Sequence, residues 1–146
     1  MRKPEIGSPD MAAFFAKYAL DSMESRPPLV YISIPLDLEG EILPIQLERG
    51  INAMLFAMKR KCIPLSPSNM YDYILLATKS SYKAGVCSHQ LISLCDEVWV
   101  FPGKGGSKVV SADIQVAVLL GKPIRVFDDE CREVSPDVLF EDAPDK

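Results

Sequence analysis

Two features of the sequence have the residue types and spacing for chemistry, and they lie ten residues apart. Gly103 to Lys108 reads GKGGSK. Glycines let a backbone approach a ligand closely, and a helix that follows offers unpaired N–H groups to an anion. The turn is not a Walker A loop, which needs GxxxxGK[ST], and it lacks GxGxxG. It is therefore either a phosphate cradle or a plain surface turn. Asp113 follows in SADIQVAVLL, Ser111 to Leu120. That run reads as an amphipathic helix with Ser111 as its N-cap and Gly121 just past its end. Asp113 then falls in the first turn, where the helix dipole favours an ionised carboxylate. An ionised carboxylate suits a nucleophile better than a general acid, and it is also a common residue in a first helical turn.

The elements around these residues define a βαβ unit. Glu97 to Phe101 (EVWVF) is a short apolar, β-branched and aromatic run, and Pro123 to Phe127 (PIRVF) is a second. Both read as buried strands, parallel to each other because a helix joins them. In such sheets ligands sit outside the carboxyl ends of the strands. Pro102 to Asp113 is thus the expected site. Asp96 and Glu97 lie at the opposite strand end and read as a turn and cap pair.

The rest of the chain repeats the alternation. Asp10 to Met23 is a helix capped by Ser8 or Asp10 and ended by Arg26-Pro27-Pro28. It precedes the first strand, so it should pack on the sheet or on a second subunit. Leu29 to Ile34 (LVYISI) is a strand without alternation, hence buried on both faces. Pro44 opens a helix running to about Lys61, with Ile45, Leu47, Ile51, Met54, Leu55 and Met58 as its expected buried face. Lys59, Arg60 and Lys61 end that helix as dipole partners on a solvated face. Cys62 to Leu65 is a short strand, Met70 to Ala77 and Gly85 to Cys95 are helical, and Thr78 to Lys83 is a polar loop. His89, the only histidine, reads as a helix-face residue. A small strand is expected near Cys131 to Val134, followed by an acidic mobile tail. The predicted fold is α/β: an open parallel sheet of four to five strands with helices on both faces, flavodoxin- or Rossmann-like. Three regions follow: an N-terminal extension over 1–28, the α/β domain over 29–135, and the tail over 136–146.

Composition narrows the function. The chain has 146 residues, 48% hydrophobic and 25% charged, as expected for one globular domain. A net charge of −4 argues against a nucleic-acid polymer as partner. The four cysteines form no CxxC pair, and one histidine is too few for the usual zinc sets, so no metal and no other cofactor is expected. No signal peptide is visible and none is expected, and no apolar run reaches membrane-spanning length. The expected compartment is the reducing cytoplasm.

Four segments together resemble the nucleoside 2-deoxyribosyltransferase-like superfamily, which includes deoxynucleoside monophosphate N-glycosidases. Tyr31-Ile32-Ser33-Ile34-Pro35 is similar to its first-strand YISGP motif. Ser66-Pro67 resembles the proline-containing end of its second strand, and Cys95 to Phe101 its CD-x-hydrophobic strand. Ser107 to Pro123 resembles S-x-G-x-x-x-E-x-x-x-A-x-x-x-G-K-P. The resemblance implies a carboxylate nucleophile that attacks the anomeric carbon of a deoxyribosyl group. An ester to the sugar results, which another base or water resolves. Counting back from Gly121, that carboxylate aligns with Asp113. Ser107 aligns with a serine that contacts phosphate or sugar. Tyr31, Ser33, Gly105, Gly106, Ser107 and Lys108 are the expected substrate-binding residues, and a homodimer or higher homo-oligomer is implied. Four departures stand out: Ile34 and Val109 replace glycines, Asp113 is shorter than Glu, and Ser88 stands where an acid often sits. The sequence thus leaves two readings, an N-glycosidic-bond enzyme and a non-catalytic nucleotide-binding or sensing module on the same fold.

Overall fold

The computed structural model describes residues 5–22, 26–35, 44–67, 74–103 and 107–140. In chain order they form α1 (Pro9–Ser22), β1 (Leu29–Ser33), α2 (Pro44–Lys59), β2 (Ile63–Leu65), α3 (Ser81–Leu94), β3 (Glu97–Val100), α4 (Lys108–Leu119), β4 (Ile124–Phe127) and β5 (Glu133–Val134). Residues 74–78 are also helical, and Pro136–Phe140 form a 3-10 turn. The five strands make one sheet in the order β2-β1-β3-β4-β5. The first four are parallel, and β5 runs antiparallel to β4. This is an open α/β sheet with the flavodoxin strand order. Its topological switch point lies between β1 and β3.

Both faces of the sheet are covered, which explains why β1 shows no alternation. On one face Val30, Ile32, Ile34, Trp99, Phe101 and Phe127 pack with Ala53 and Ala57 of α2. Phe127 is the hub of an aromatic group, with ring centroids 5.0 Å from Trp99, 5.1 Å from Phe56 and 5.2 Å from Phe101. On the other face Tyr31, Val98, Val100 and Val126 pack with Ile92 of α3 and with Val110, Ile114 and Ala117 of α4. Leu139, within the segment read as tail, also packs against this second cluster.

Three local expectations need correction. Most of the expected apolar face of α2 points outward: Leu47, Ile51, Leu55 and Met58 are about half exposed, whereas Met54 packs against the core as expected and the Ile45 side chain lies outside those described. The sheet is met instead by Gly50, Ala53 and Ala57. Small residues let the helix lie close to β1, so that a Cβ at Gly50 would come within 2.9 Å of Ile34 Cδ1. The second concerns α1, expected on the sheet or on a second subunit: its Phe14, Phe15, Tyr18 and Leu20 are exposed in the single chain, which removes the sheet and leaves the other alternative. Ser8 caps it, accepting from the Met11 N–H at 3.1 Å. The third is that α3 begins at Ser81, inside the expected loop, because Ser80 accepts from the Lys83 N–H as N-cap.

The two strand ends are tied differently. At the amino end Asp96 Oδ2 accepts from the Leu29 N–H at 2.7 Å and pairs with Arg26 at 3.0 Å. Asp96 thus caps β1 from the bend before β3, whereas Glu97, its expected partner in the turn, is the first residue of β3. The carboxyl end carries the polar residues described next.

Candidate functional site

The helix that supplies Asp113 starts earlier than its sequence indicates. Ser107, not Ser111, is the N-cap of α4, and its side chain accepts from the Val110 N–H at 3.3 Å. Asp113 therefore sits in the second turn, and the first turn holds no acid. The expected first-turn dipole interaction therefore does not apply to it, because that effect fades beyond the first turn. At the other end the helix closes as expected. Gly121 at φ 68° ends it, with the Gly121 N–H bonded to Val118 O and the Lys122 N–H to Ala117 O. This is a Schellman ending.

Neighbouring side chains hold the carboxylate in place. Asp113 is 3% exposed and lies against the carboxyl end of β1. Ser33 Oγ, itself buried, donates to Asp113 Oδ2 at 2.7 Å. The Tyr31 hydroxyl donates to Oδ1 at 3.4 Å, a longer and weaker bond. Tyr31 and Ser33 alternate with Val30 and Ile32 along the strand, so both point to the α4 face. His89 Nε2 lies 3.4 Å from Asp113 Oδ1, with its side chain 31% exposed. His89 comes from α3, which packs beside α4. Burial pushes the Tyr31 phenol far above its ordinary range, and the Asp113 charge and hydrogen bond push it further. The phenol therefore stays protonated and acts as a donor. Ser88 Oγ is buried close to the same phenol, whose ionised form it favours weakly, yet it closes no hydrogen bond among the described residues.

The expected phosphate loop is seen in part. Gly105 and Gly106 lie outside the described residues. Lys108 is the first residue of α4 and is exposed. Ser107 accepts from the Val110 N–H as the helix cap. Val109 is helical and takes no positive φ, so its β-branch meets no backbone conflict there. Gly103 does need to be glycine. Its φ is +66°, and the Arg49 guanidinium fills the space a Cβ would occupy. Arg49 donates to Phe101 O at 3.4 Å and pairs with Asp129 at 2.7 Å. It thereby brings a guanidinium to the carboxyl ends of β3 and β4.

The structure thus brings Tyr31, Ser33 and Asp113 together and adds His89 and Ser88 beside them, with Arg49 at the carboxyl ends of β3 and β4. His89 had one signal, being the only histidine. Ser88 had its alignment with a position where the resembling superfamily often has an acid, and Arg49 had no signal beyond its residue type. Among the described residues no group of three or more His, Cys, Asp or Glu could hold a metal ion. None of the described helices is long and apolar enough to cross a membrane.

Fold and site together define an open α/β protein with a buried carboxylate at its switch point, where such sheets bind ligands. Residues 28–127 match the family model described as Domain of unknown function (DUF7768), and the chain belongs to that family. The match runs from the residue before β1 to the end of β4. No curated protein and no solved structure matches the chain.

Proposed function

We propose that this protein breaks or exchanges the N-glycosidic bond of a nucleoside or nucleotide, with Asp113 as the nucleophile. One observation carries the reading: the Asp113 carboxylate is held at the carboxyl end of β1 by Ser33 Oγ at 2.7 Å. A buried carboxylate aimed by the Ser33 and Tyr31 hydroxyls has an oxygen lone pair for attack. An Asp113 oxygen bonds to the anomeric carbon, and the carbon–nitrogen bond breaks with its electron pair going to the base. Water, or the nitrogen of a second base, then displaces the carboxylate. The resemblance of Tyr31 to Pro35 and of Ser107 to Pro123 to the deoxyribosyltransferase-like motifs supports the same assignment.

The test is a screen of purified protein against nucleosides and their 5′-monophosphates, reading base release and thermal shift together. Base release that disappears in Asp113→Asn supports the proposal. Release that persists in this variant removes it. The 3% exposure of Asp113 favours a second reading, a nucleotide-binding module without turnover. That reading predicts a thermal shift with no base release.

The same proposal includes a cytoplasmic homodimer. All four cysteines are free, as suits a reducing compartment. Leu47, Ile51, Leu55 and Met58 make an exposed apolar stripe along α2, of the kind a second copy covers. Light scattering at micromolar concentration tests the assembly, and a monomer mass would count against it.

A further inference from the structure

Cleavage of a glycosidic bond to a nucleobase has a second requirement besides a nucleophile. The departing nitrogen takes up an electron pair, and an unprotonated base leaves slowly unless a proton arrives with it. The sequence offers no carboxylate at position 88, where Ser88 stands, and a serine hydroxyl is too weak an acid for the task. The structure places a different group one residue on. His89 Nε2 is 3.4 Å from Asp113 Oδ1, and the imidazole is 31% exposed while the carboxylate side chain is 4% exposed. Among the described residues around Asp113, His89 brings the one imidazole, the side chain most often used for general acid–base work. Tyr31 holds its proton far more tightly. Gly85, one turn earlier on α3, adds no bulk beside the ring: a Cβ there would be 4.0 Å from His89 Cε1.

We propose that His89 is the general acid of this site, giving its Nε2 proton to the departing base as Asp113 attacks. The assignment rests on the glycosidic reading above. Its steps balance. The lone pair of Asp113 forms the bond to the anomeric carbon, and the pair of the broken carbon–nitrogen bond goes to the base. The proton on His89 Nε2 moves to a base nitrogen, leaving a neutral imidazole and a free base. In the second half His89 takes a proton from water while the water oxygen displaces Asp113. The imidazolium and the carboxylate are then restored. The short separation couples the two halves. At 3.4 Å from Oδ1, Nε2 stands beside the carboxylate that attacks, so acid and nucleophile act on the same anomeric centre.

A purely structural role for His89, as a clamp on Asp113, makes a different prediction. A clamp matters equally for every substrate, whereas an acid matters only when the leaving base needs a proton. The experiment compares the full chain with His89→Gln, which keeps an N–H donor facing Asp113. The neutral substrates are the common 2′-deoxynucleosides and their 5′-monophosphates. Their activated counterparts are 7-methyl-2′-deoxyguanosine, whose cationic base departs neutral, and 5-fluoro-2′-deoxyuridine, whose base is a better leaving group. His89→Gln should lower kcat on the neutral substrate by about 10²–10⁴-fold, as loss of a general acid does, and on the activated counterpart by less than about tenfold. Equal losses on both would overturn the acid assignment and leave His89 a positioning residue. No loss on either would overturn it too. Asp113→Asn should be inactive on both classes. A parent chain that releases base from none of these substrates removes the reaction itself, and the acid role with it.

Discussion

The hydrogen bond from Ser33 to Asp113 can be tested by stability alone, with no substrate. Ser33→Ala removes Oγ and leaves a methyl of similar size. The lost bond is 2.7 Å long and ends on a carboxylate that is almost fully buried. A hydrogen bond to a charged group contributes about 1.5–3 kcal/mol, and the remaining contacts do not replace it. The Tyr31 hydroxyl and His89 Nε2 both stand at 3.4 Å and approach Oδ1, not Oδ2. Ser33→Ala should therefore cost about 2 kcal/mol at neutral pH, which lowers Tm by about 4–8 °C for a chain of this size. In an Asp113→Asn background the same change breaks only a neutral bond, worth about 0.5–1.5 kcal/mol. The double-mutant cycle should then show a coupling of about 1 kcal/mol between the two residues. Urea unfolding of the four proteins measures it, provided the slope against denaturant is the same in all. If Ser33→Ala costs the same with Asp113 and with Asn at that position, the charge-assisted bond is absent and the description of the site fails.

Three further outcomes test the surrounding structure. Phe127→Ala empties the centre of the aromatic group and should destabilise by about 4 kcal/mol in urea unfolding; a loss below about 1 kcal/mol would contradict the packing. Burial, and then the neighbouring Asp96 charge, push the Cys95 thiol up to about 11. At pH 8 iodoacetamide should thus label Cys95 last among the cysteines of the native protein, read by peptide mass spectrometry, and early labelling would refute its buried position. The Leu29 N–H and then Arg26 hold Asp96 below the usual carboxylate range. Its contribution is complete above its unfolded value of about 4 and is lost as pH falls through the lower folded one. Asp96→Asn should therefore lower the urea midpoint at pH 7, and the gap to the parent should close towards pH 3; a gap unchanged over that range would refute the interaction.

The parts of the fold legible in the sequence are those set by local chemistry. The apolar runs of β1, β3 and β4 have no alternation because both faces are covered, and Gly121 marks the end of α4 because its φ is positive. Where two local signals compete, the sequence misleads. SKVVSAD offers two serines able to cap a helix, and tertiary packing of Val110 selects Ser107, which moves Asp113 one turn inward. In α2 the apolar periodicity is real but points outward, because Gly50, Ala53 and Ala57 give the closer approach to β1. Asp113 was legible through its motif and the Tyr31-Ser33 pair through the first strand. His89 was not, because its place beside Asp113 comes from α3 lying against α4, a contact that no spacing encodes.

The central claim is that Asp113 becomes bonded to the sugar. A 2′-fluoro-2′-deoxyarabinosyl nucleoside tests it most directly, because the fluorine destabilises the positive charge that develops at the anomeric carbon and slows release of the ester. The protein is incubated with such nucleosides of each common base and then digested, and the peptides are read by mass spectrometry. The account predicts a fluorosugar adduct on the peptide that contains Asp113, and none in Asp113→Asn. Base release with the adduct on another residue, or base release with no adduct in the parent, would contradict it.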